Sequence, residues 1–219
     1  MTGPTIAGDR ARLLEAILPH VTFDGWTDAA LRAAAAEAGI APDLLPVILP
    51  RGALDLAVDY HRRGDRAMES ALAAEDLGGL KFREKVARAV QLRLQGADRE
   101  VVRRGAALFA LPQQAGVGSG LIWGTADAIW RALGDRSEGI AHYTKRASLS
   151  AVYGATVLYW LGDQSAGAAD TWAFLDRRIA EVMRFEKLKA DFRDSFAGRL
   201  LAPSGRALDR LVARTGSAA

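Results

Sequence analysis

The spacing of the apolar residues constrains the fold of this chain more than any other feature. Apolar side chains recur every three or four positions from Leu13 and Ile17 onward, as they do on one face of an α-helix. The alternation of apolar and polar residues that marks half-buried strands does not occur. A chain of 219 residues, half of them apolar, can bury a sizeable core. The pattern therefore predicts an all-α protein.

Capping and helix-breaking residues set the bounds of the predicted helices in the N-terminal half. Asp9 is expected to cap a short helix that Pro19 ends, and Thr27 to cap a helix over Asp28–Ala38 that Gly39 closes. The remaining elements are expected at Asp43–Leu49, at Ala53–Asp76 with Gly64 as a point of interruption, at Leu80–Gln95 and at Arg99–Leu111, with a loop over Gln113–Gly120.

The helical pattern strengthens from Leu121. One stripe there is plainly apolar, and the later segment Tyr143–Leu161 is apolar nearly all round, which predicts burial on most sides. Its longest uncharged run, Ala147–Gly162, is shorter than the roughly 20 residues that span a bilayer. A buried core helix is therefore expected. The sequence also shows no pattern of a secretory signal at its start.

Asp127 is the most unusual single residue because it lies between Trp123 and Trp130 on one helical stripe. In one interpretation the indoles pack in the core and the carboxylate pairs with an arginine such as Arg131 or Arg146. In the other, the three side chains line the mouth of an aromatic-walled pocket that holds a ligand with one polar end. The sequence leaves both interpretations open.

The C-terminal segment has a basic, amphipathic character. Phe192, Phe196 and Leu200 continue an apolar stripe, and from Lys187 onward seven Lys or Arg residues stand against three Asp. Such a segment can lie on an anionic membrane surface, which would make these three residues membrane contacts. The same spacing would also fit a helix that packs on its own domain.

No catalytic or metal-binding constellation is found in the sequence. The chain has no cysteine, and its three histidines are far apart and lack partners at metal-binding spacing. The glycine-rich segment Gly116–Gly120 follows a predicted helix rather than a strand and has no Walker lysine. We therefore expect a protein that is not an enzyme and that uses no metal and no cofactor.

Three short helices followed by a longer one are typical of a helix-turn-helix regulator. Trp26–Arg51, however, holds two basic residues against three acidic ones, and Asp43–Pro50 offers a DNA base little to hydrogen-bond. The mild net charge of +3 adds no argument for nucleic acid. We expect no DNA binding. A transcriptional regulator of the tetracycline-repressor type remains the alternative function.

A set of short segments, taken in order, resembles a known family. The resemblance rests on Leu18–Thr27, Pro50–Leu56, Thr125–Asp135, Tyr143–Arg146, Tyr153–Leu161 and Thr171–Arg178. Together these segments resemble the ubiquinone-biosynthesis accessory family known as coenzyme Q biosynthesis protein nine. The chain departs from the family pattern at Gly139–His142, where a histidine stands in place of an aromatic residue.

The resemblance implies a tetracycline-repressor-like fold, a homodimer and the binding of lipids, including isoprenoid quinone intermediates or phospholipid. It also implies assistance to the hydroxylase that acts on demethoxyubiquinone, with docking of that partner at Asp127, Trp130, Tyr143 and Arg146. The protein would be cytoplasmic and peripheral on the inner membrane, and would contact the membrane through its last helix.

Three regions are expected on this basis. Residues 1–52 would form a degenerate helix-turn-helix part, residues 53–186 a helical lipid-binding and dimerisation part, and residues 187–219 an amphipathic tail. Within the middle part, the residues expected to contact lipid are Trp123, Ala126, Trp130, Val152, Thr156 and Trp160.

Overall fold

A computed structural model of the chain describes residues 5–194, with side-chain positions through residue 184. This part contains nine α-helices, two short 3-10 helices and no strand. The α-helices are α1 Ile6–Asp24, α2 Asp28–Glu37, α3 Leu45–Ile48, α4 Ala53–Ala74, α5 Phe82–Gln95, α6 Arg99–Phe109, α7 Ala115–Ala132, α8 Gly139–Gly162 and α9 Ala169–Asp194. The predicted all-α class is confirmed.

Residue contacts divide the chain into two units. The first unit ends at Arg177 and holds α1 to α8 and the start of α9. The second begins at Arg178, and within the described residues it consists of the remainder of α9. In residues 5–194 no helix combines the length and the apolar composition that crossing a membrane requires.

Helix α1 is longer than the sequence predicts. It starts at Ile6, where the side chain of Thr5 accepts a hydrogen bond from the Gly8 amide at 3.1 Å, so Thr5 and not Asp9 is the cap. It also continues through Pro19 to Asp24. The fully buried Val21 explains the continuation, since its burial offsets the backbone hydrogen bond that proline removes.

The prediction for α2 is confirmed at both ends. The Thr27 hydroxyl accepts a hydrogen bond from the Ala30 amide at 3.2 Å, and Gly39 follows the helix with a φ of 63°. Helices α1 and α2 enclose an N-terminal core with α3 and the start of α4. Its residues include Leu13, Ile17, Val21, Trp26, Leu31, Ile48, Leu49 and Leu56.

Two predicted irregularities are wrong. Helix α4 runs without interruption through Gly64, where a Cβ would lie 2.5 Å from the Arg93 guanidinium carbon. Most of Gln113–Gly120 lies in helix α7 and not in a loop, because Gly118 is buried against Phe109 with no room for a Cβ. Glycine at both positions permits close approach of a neighbouring helix instead of breaking its own.

Helices α4 to α8 form the part of the fold that holds the candidate site. Helix α7 packs on both α4 and α8, while α5 packs on α4 and α6 on α7 and α8. Helix α8 begins at Gly139 with a φ of 57°, four residues earlier than the predicted start at Tyr143. Its buried residues include Leu149, Val152, Tyr153, Thr156 and Trp160, as expected for a helix that is apolar nearly all round.

Candidate functional site

A cavity of about 370 Å³ lies among helices α4 to α8 and the segment between α1 and α2. We call it the α4–α8 cavity. Its volume falls within the range of small-molecule binding sites in proteins. Its apolar lining comprises Ala57, Leu94, Val101, Val102, Ala106, Phe109, Leu121, Ile122, Val157 and Leu158.

The cavity reaches from the core to the surface. Leu94 and Val101 in its lining are almost completely buried, at 1% and 2% exposure. Leu158 also lines it and is 69% exposed, and Ser119 beside it is exposed as well. A ligand could therefore enter near Leu158 and extend toward the interior.

Buried polar side chains gather on the α4, α5 and α7 side of the cavity. His61 Nε2 lies 2.8 Å from the hydroxyl of Thr125, and that hydroxyl lies 2.9 Å from Asp65 Oδ1. Arg93 Nε donates to the same carboxylate oxygen at 2.7 Å and Arg93 Nη2 to the His61 carbonyl at 3.0 Å. We call His61, Asp65, Arg93 and Thr125 the His61 cluster.

The environment keeps His61 neutral. Burial, followed by the positive charge of Arg93, lowers the pKa of His61 to about 4. The Thr125 hydroxyl also lies 3.2 Å from the Leu121 carbonyl, so this one hydroxyl, with a single proton to donate, contacts His61 Nε2, Asp65 and the Leu121 carbonyl. The cluster thus combines one cation, one anion and neutral groups, without net charge.

Two further polar residues lie in the cavity wall. Burial raises the pKa of Tyr153, which is 3% exposed, so its hydroxyl stays protonated. The hydroxyl of Tyr60 accepts a hydrogen bond from the Asp98 amide at 3.1 Å. The site therefore offers an apolar volume with a polar end that carries no net charge, which suits the binding of a mostly apolar molecule.

None of the six residues predicted to contact lipid is in the lining of this cavity. Ala126, Val152, Thr156 and Trp160 are buried in the core, and the Thr156 hydroxyl donates to the Val152 carbonyl at 2.7 Å. The other two, Trp123 and Trp130, are half-buried. Lipid contact by these six residues stays a prediction.

Asp127 makes the ion pair of the first interpretation, but the indoles on its stripe are half-buried and do not pack in the core. Its carboxylate accepts from Arg146 Nε at 2.6 Å and from Arg131 Nε at 2.9 Å. Arg146, whose side chain is only 3% exposed, also pairs with Asp135 at 3.3 Å. Burial would raise the pKa of Asp127, but the two arginines hold that pKa below its ordinary value.

The aromatic residues around Asp127 lie at the surface of α7 and α8 rather than in the core. Trp130 stacks on Phe82 with ring centroids 5.4 Å apart and donates its indole N–H to the Lys145 carbonyl at 3.2 Å. Tyr143 is 65% exposed and lies 6.3 Å from Trp123 between ring centroids. We call Trp123, Trp130 and Tyr143 the α7–α8 aromatic surface.

The predicted docking residues thus have two different environments. Tyr143 and the edge of Trp130 are accessible, whereas Arg146 is buried and Asp127 is occupied by two arginines. Docking by these four residues stays a prediction. Among the described residues no group of three or more His, Asp or Glu side chains is arranged to hold a metal ion.

The sequence analysis missed the His61 cluster. His61 lacks a second histidine at metal-binding spacing, but Asp65 stands four residues later on the same helix. Arg93 gave no signal, because nothing in the sequence brings α5 against α4. Phe192 lies in α9 beyond the described side chains, and Phe196 and Leu200 lie outside the described residues.

The family model and the curated proteins that match this chain carry the same family name, COQ9. A family model described as COQ9 matches residues 115–186. The mitochondrial ubiquinone biosynthesis protein COQ9 of Drosophila melanogaster is 30% identical over 82% of this chain and 56% of its own length. The probable mitochondrial ubiquinone biosynthesis protein coq9 of Dictyostelium discoideum is 30% identical over 85% and 63%, and the Homo sapiens COQ9 is 28% identical over 78% and 57%. The chain spans 56% to 63% of the length of these relatives.

A solved structure supports the fold. The TetR transcriptional regulator from Nitrosomonas europaea ATCC 19718 superposes with a TM-score of 0.62, at 18% identity, over 78% of this chain and 96% of that one. At this identity the likeness shows the fold alone. The resemblance predicted from the sequence is confirmed: residues 115–186 match the COQ9 family model, and the chain is a relative of the COQ9 proteins with a TetR-like all-α fold.

Proposed function

We propose that this protein is a non-catalytic accessory protein of ubiquinone biosynthesis that binds an isoprenoid quinone intermediate or a phospholipid. The observation that carries the proposal is the α4–α8 cavity, which has apolar walls, a polar end without net charge and an opening near Leu158. The relatives named as ubiquinone biosynthesis proteins support the choice of pathway.

The size of the cavity suits part of a polyprenyl chain. An engineered apolar cavity of about 150 Å³ holds benzene, so 370 Å³ corresponds to roughly fifteen carbon atoms. Each CH₂ group that leaves water contributes about 0.8 kcal/mol. Burial of a chain segment of this size would therefore favour binding. The remainder of a long polyprenyl tail would extend through the opening.

Two neighbouring alanines on α6 provide a matched test. Ala106 lines the cavity, whereas Ala107 is exposed and does not. Protein purified from ubiquinone-producing membranes is expected to release isoprenoid or phospholipid in native mass spectrometry. Ala106→Phe would fill the cavity and reduce the bound lipid at least tenfold, and Ala107→Phe would leave it unchanged. Equal lipid content in the two variants, or wild-type protein without lipid, would refute the proposal.

The α7–α8 aromatic surface is proposed as the docking site for the demethoxyubiquinone hydroxylase. Tyr143 is the exposed member, and the Asp127–Arg146 pair would hold α7 and α8 in register beneath it. Tyr143→Ala should therefore weaken capture of the hydroxylase without lowering the melting temperature. Tyr159→Ala, also on α8 but in contact with Phe174, is the control. If Tyr143→Ala captured the hydroxylase as well as the wild-type protein does, the docking site would not be the α7–α8 aromatic surface.

The proposal has two further parts. The first is a homodimer formed through the helices between Leu121 and Met183. The second is peripheral attachment to the inner membrane from the cytoplasmic side. Sedimentation of the purified protein tests the first. The amphipathic stripe of the C-terminal sequence supports the second.

A transcriptional regulator is the second candidate, because the fold is that of a TetR regulator. Against it stands the surface around α3, the element that would enter a DNA groove. Leu44 and Val47 there are 48% and 63% exposed, and Arg51 is paired with Asp55 at 2.6 Å. Absence of a mobility shift at low salt would exclude this candidate, since even non-specific DNA binding is strongest there. A salt-sensitive shift would favour it.

A further inference from the structure

Trp26 lies in the short segment between α1 and α2, where it closes one side of the α4–α8 cavity. Its side chain is 7% exposed and packs against Tyr60, with ring centroids 6.0 Å apart. Its indole nitrogen is buried, and no acceptor among the described residues lies within hydrogen-bond distance of it. The residue is therefore buried with an unused donor.

An unused donor at this position calls for an explanation. Buried tryptophan N–H groups usually find an acceptor, because burying the donor without one costs free energy. Phenylalanine would supply nearly the same apolar contact to the N-terminal core without that cost. The packing of Trp26 alone thus does not account for an indole.

The surroundings of the nitrogen connect it with the cavity. Gly105 on α6 also lines the cavity, and a Cβ built on it would lie 3.7 Å from Trp26 Nε1. A larger side chain at position 105 would cover the N–H. Because glycine occupies that position, the space beside the nitrogen is bounded by backbone and remains available to a ligand atom.

The polar groups of the His61 cluster and the Tyr60 hydroxyl have partners within the protein. In the His61 cluster, His61, Arg93 and Thr125 each make hydrogen bonds to protein groups, and Tyr60 accepts from the Asp98 amide. Within the described part of the chain, Trp26 Nε1 is the buried side-chain donor of the cavity lining that has no protein acceptor.

We infer that Trp26 is a ligand-binding residue, whose indole N–H donates a hydrogen bond to a carbonyl or ether oxygen of the molecule in the cavity. The inference rests on the proposed function, since it requires that the cavity be occupied. An indole can only donate and carries no charge, so it selects a neutral acceptor. The ligand class is accordingly an apolar chain that bears a carbonyl or ether oxygen, which receives from Trp26 the hydrogen bond that it gives up in leaving water.

The test compares two probes that differ in this oxygen alone. Methyl nonyl ketone and the branched alkane in which a methyl group replaces its carbonyl oxygen are partitioned between headspace and protein solution. Wild-type protein should bind both probes, and the informative quantity is the change of each affinity on substitution of Trp26. Trp26→Phe should weaken ketone binding roughly three- to tenfold, the usual value of one neutral hydrogen bond. Alkane binding should change less than twofold.

A spectroscopic measurement separates hydrogen bonding from packing. The carbonyl stretching frequency of bound ketone should be lower in wild-type protein than in Trp26→Phe, because the hydrogen bond lengthens the carbonyl bond. Trp172→Phe, which removes an indole that lies outside the cavity lining and donates to the Gly167 carbonyl, should leave both affinity and frequency at their wild-type values.

The outcomes are distinguishable. Equal loss of both probes in Trp26→Phe, or an unchanged carbonyl frequency, would overturn the role of Trp26 and leave the cavity as a binding site. Failure of wild-type protein to bind either probe would overturn the proposed function and this inference together.

Discussion

His61 illustrates how strongly this fold determines the state of one side chain. Its ring nitrogen Nε2 lies 2.8 Å from the Thr125 hydroxyl, its carbonyl accepts from Arg93, and its side chain is only 17% exposed. A proton on the second ring nitrogen would add a charge beside the guanidinium in a poorly solvated place. The neutral form is therefore part of the folded structure.

This state predicts a pH dependence of stability. The pKa of His61 is about 4 in the folded protein and ordinarily 6.5, so the unfolded chain binds the extra proton between these values. The contribution is present in full above pH 6.5 and is lost as the pH falls toward 4. The expected loss in the free energy of unfolding is on the order of 3 kcal/mol.

Urea denaturation across this pH range measures the effect. His61→Gln keeps a donor for Thr125 but cannot titrate, so the difference between the two proteins isolates the histidine. Between pH 6.5 and pH 4 the free energy of unfolding should fall less in the variant than in the wild type, and the difference should be the loss given above. An identical pH dependence of the two proteins would mean that the pKa of His61 is not lowered in the folded state.

At the residue scale the sequence predicted pairs but not the cavity. The ion pair of Asp127 with an arginine was one of the two interpretations that its sequence surroundings allowed, and the structure forms it with Arg146. The role of Trp26 could not be predicted, because it depends on Gly105, 79 positions away, leaving space beside its nitrogen.

Helix α7 shows how glycine acts at the scale of an element. Gly118 permits α7 to approach α6 so closely that a Cβ would lie 2.8 Å from Phe109 Cβ and 3.3 Å from its carbonyl oxygen. Gly120 lies two residues later in the same helix, is exposed, and has no heavy atom within 4 Å of a Cβ position. The two positions differ in packing and share their helical conformation.

Alanine substitution at the two positions should have opposite effects. Gly118→Ala must push α7 from α6 and should reduce the free energy of unfolding by about 1–3 kcal/mol. Gly120→Ala should raise it by about 0.5–1 kcal/mol, because alanine is the better helix former. Thermal or denaturant unfolding measures both. If both variants were stabilised, α7 would not be packed as described.

At the scale of an element, the existence of the helices could be predicted from the sequence more accurately than the residues at which they begin and end. Local signals placed the cap at Thr27 and the end near Gly39 correctly, since both act through neighbouring backbone groups. The extension of α1 past Pro19 and the helical start of α7 were missed. In both cases distant packing outweighs the local preference of proline or glycine.

Lipid binding and membrane attachment belong to the molecule as a whole. If the C-terminal segment brings the protein to the membrane, removing residues 185–219 should abolish flotation with vesicles that contain anionic lipid. The cavity lies within residues 26–158, so lipid bound in it should survive the truncation. Unchanged flotation would instead assign the segment a packing role in its own domain.

The fold class and the family could be predicted for the whole molecule because they depend on periodicity and on many short segments together. The cavity could not, since its lining comes from five helices and from Trp26. The six residues expected to contact lipid were chosen along α7 and α8 alone. The structure instead places the cavity where α4, α5 and α6 meet those two helices.

The central claim is that the α4–α8 cavity holds an apolar ligand. A crystal structure of protein purified from ubiquinone-producing membranes, without detergent exchange, tests it most directly. We expect elongated density that begins beside Trp26 and the His61 cluster and leaves near Leu158. A cavity closed by the side chains of Phe109, Ile122 and Val157, with no such density, would contradict the claim.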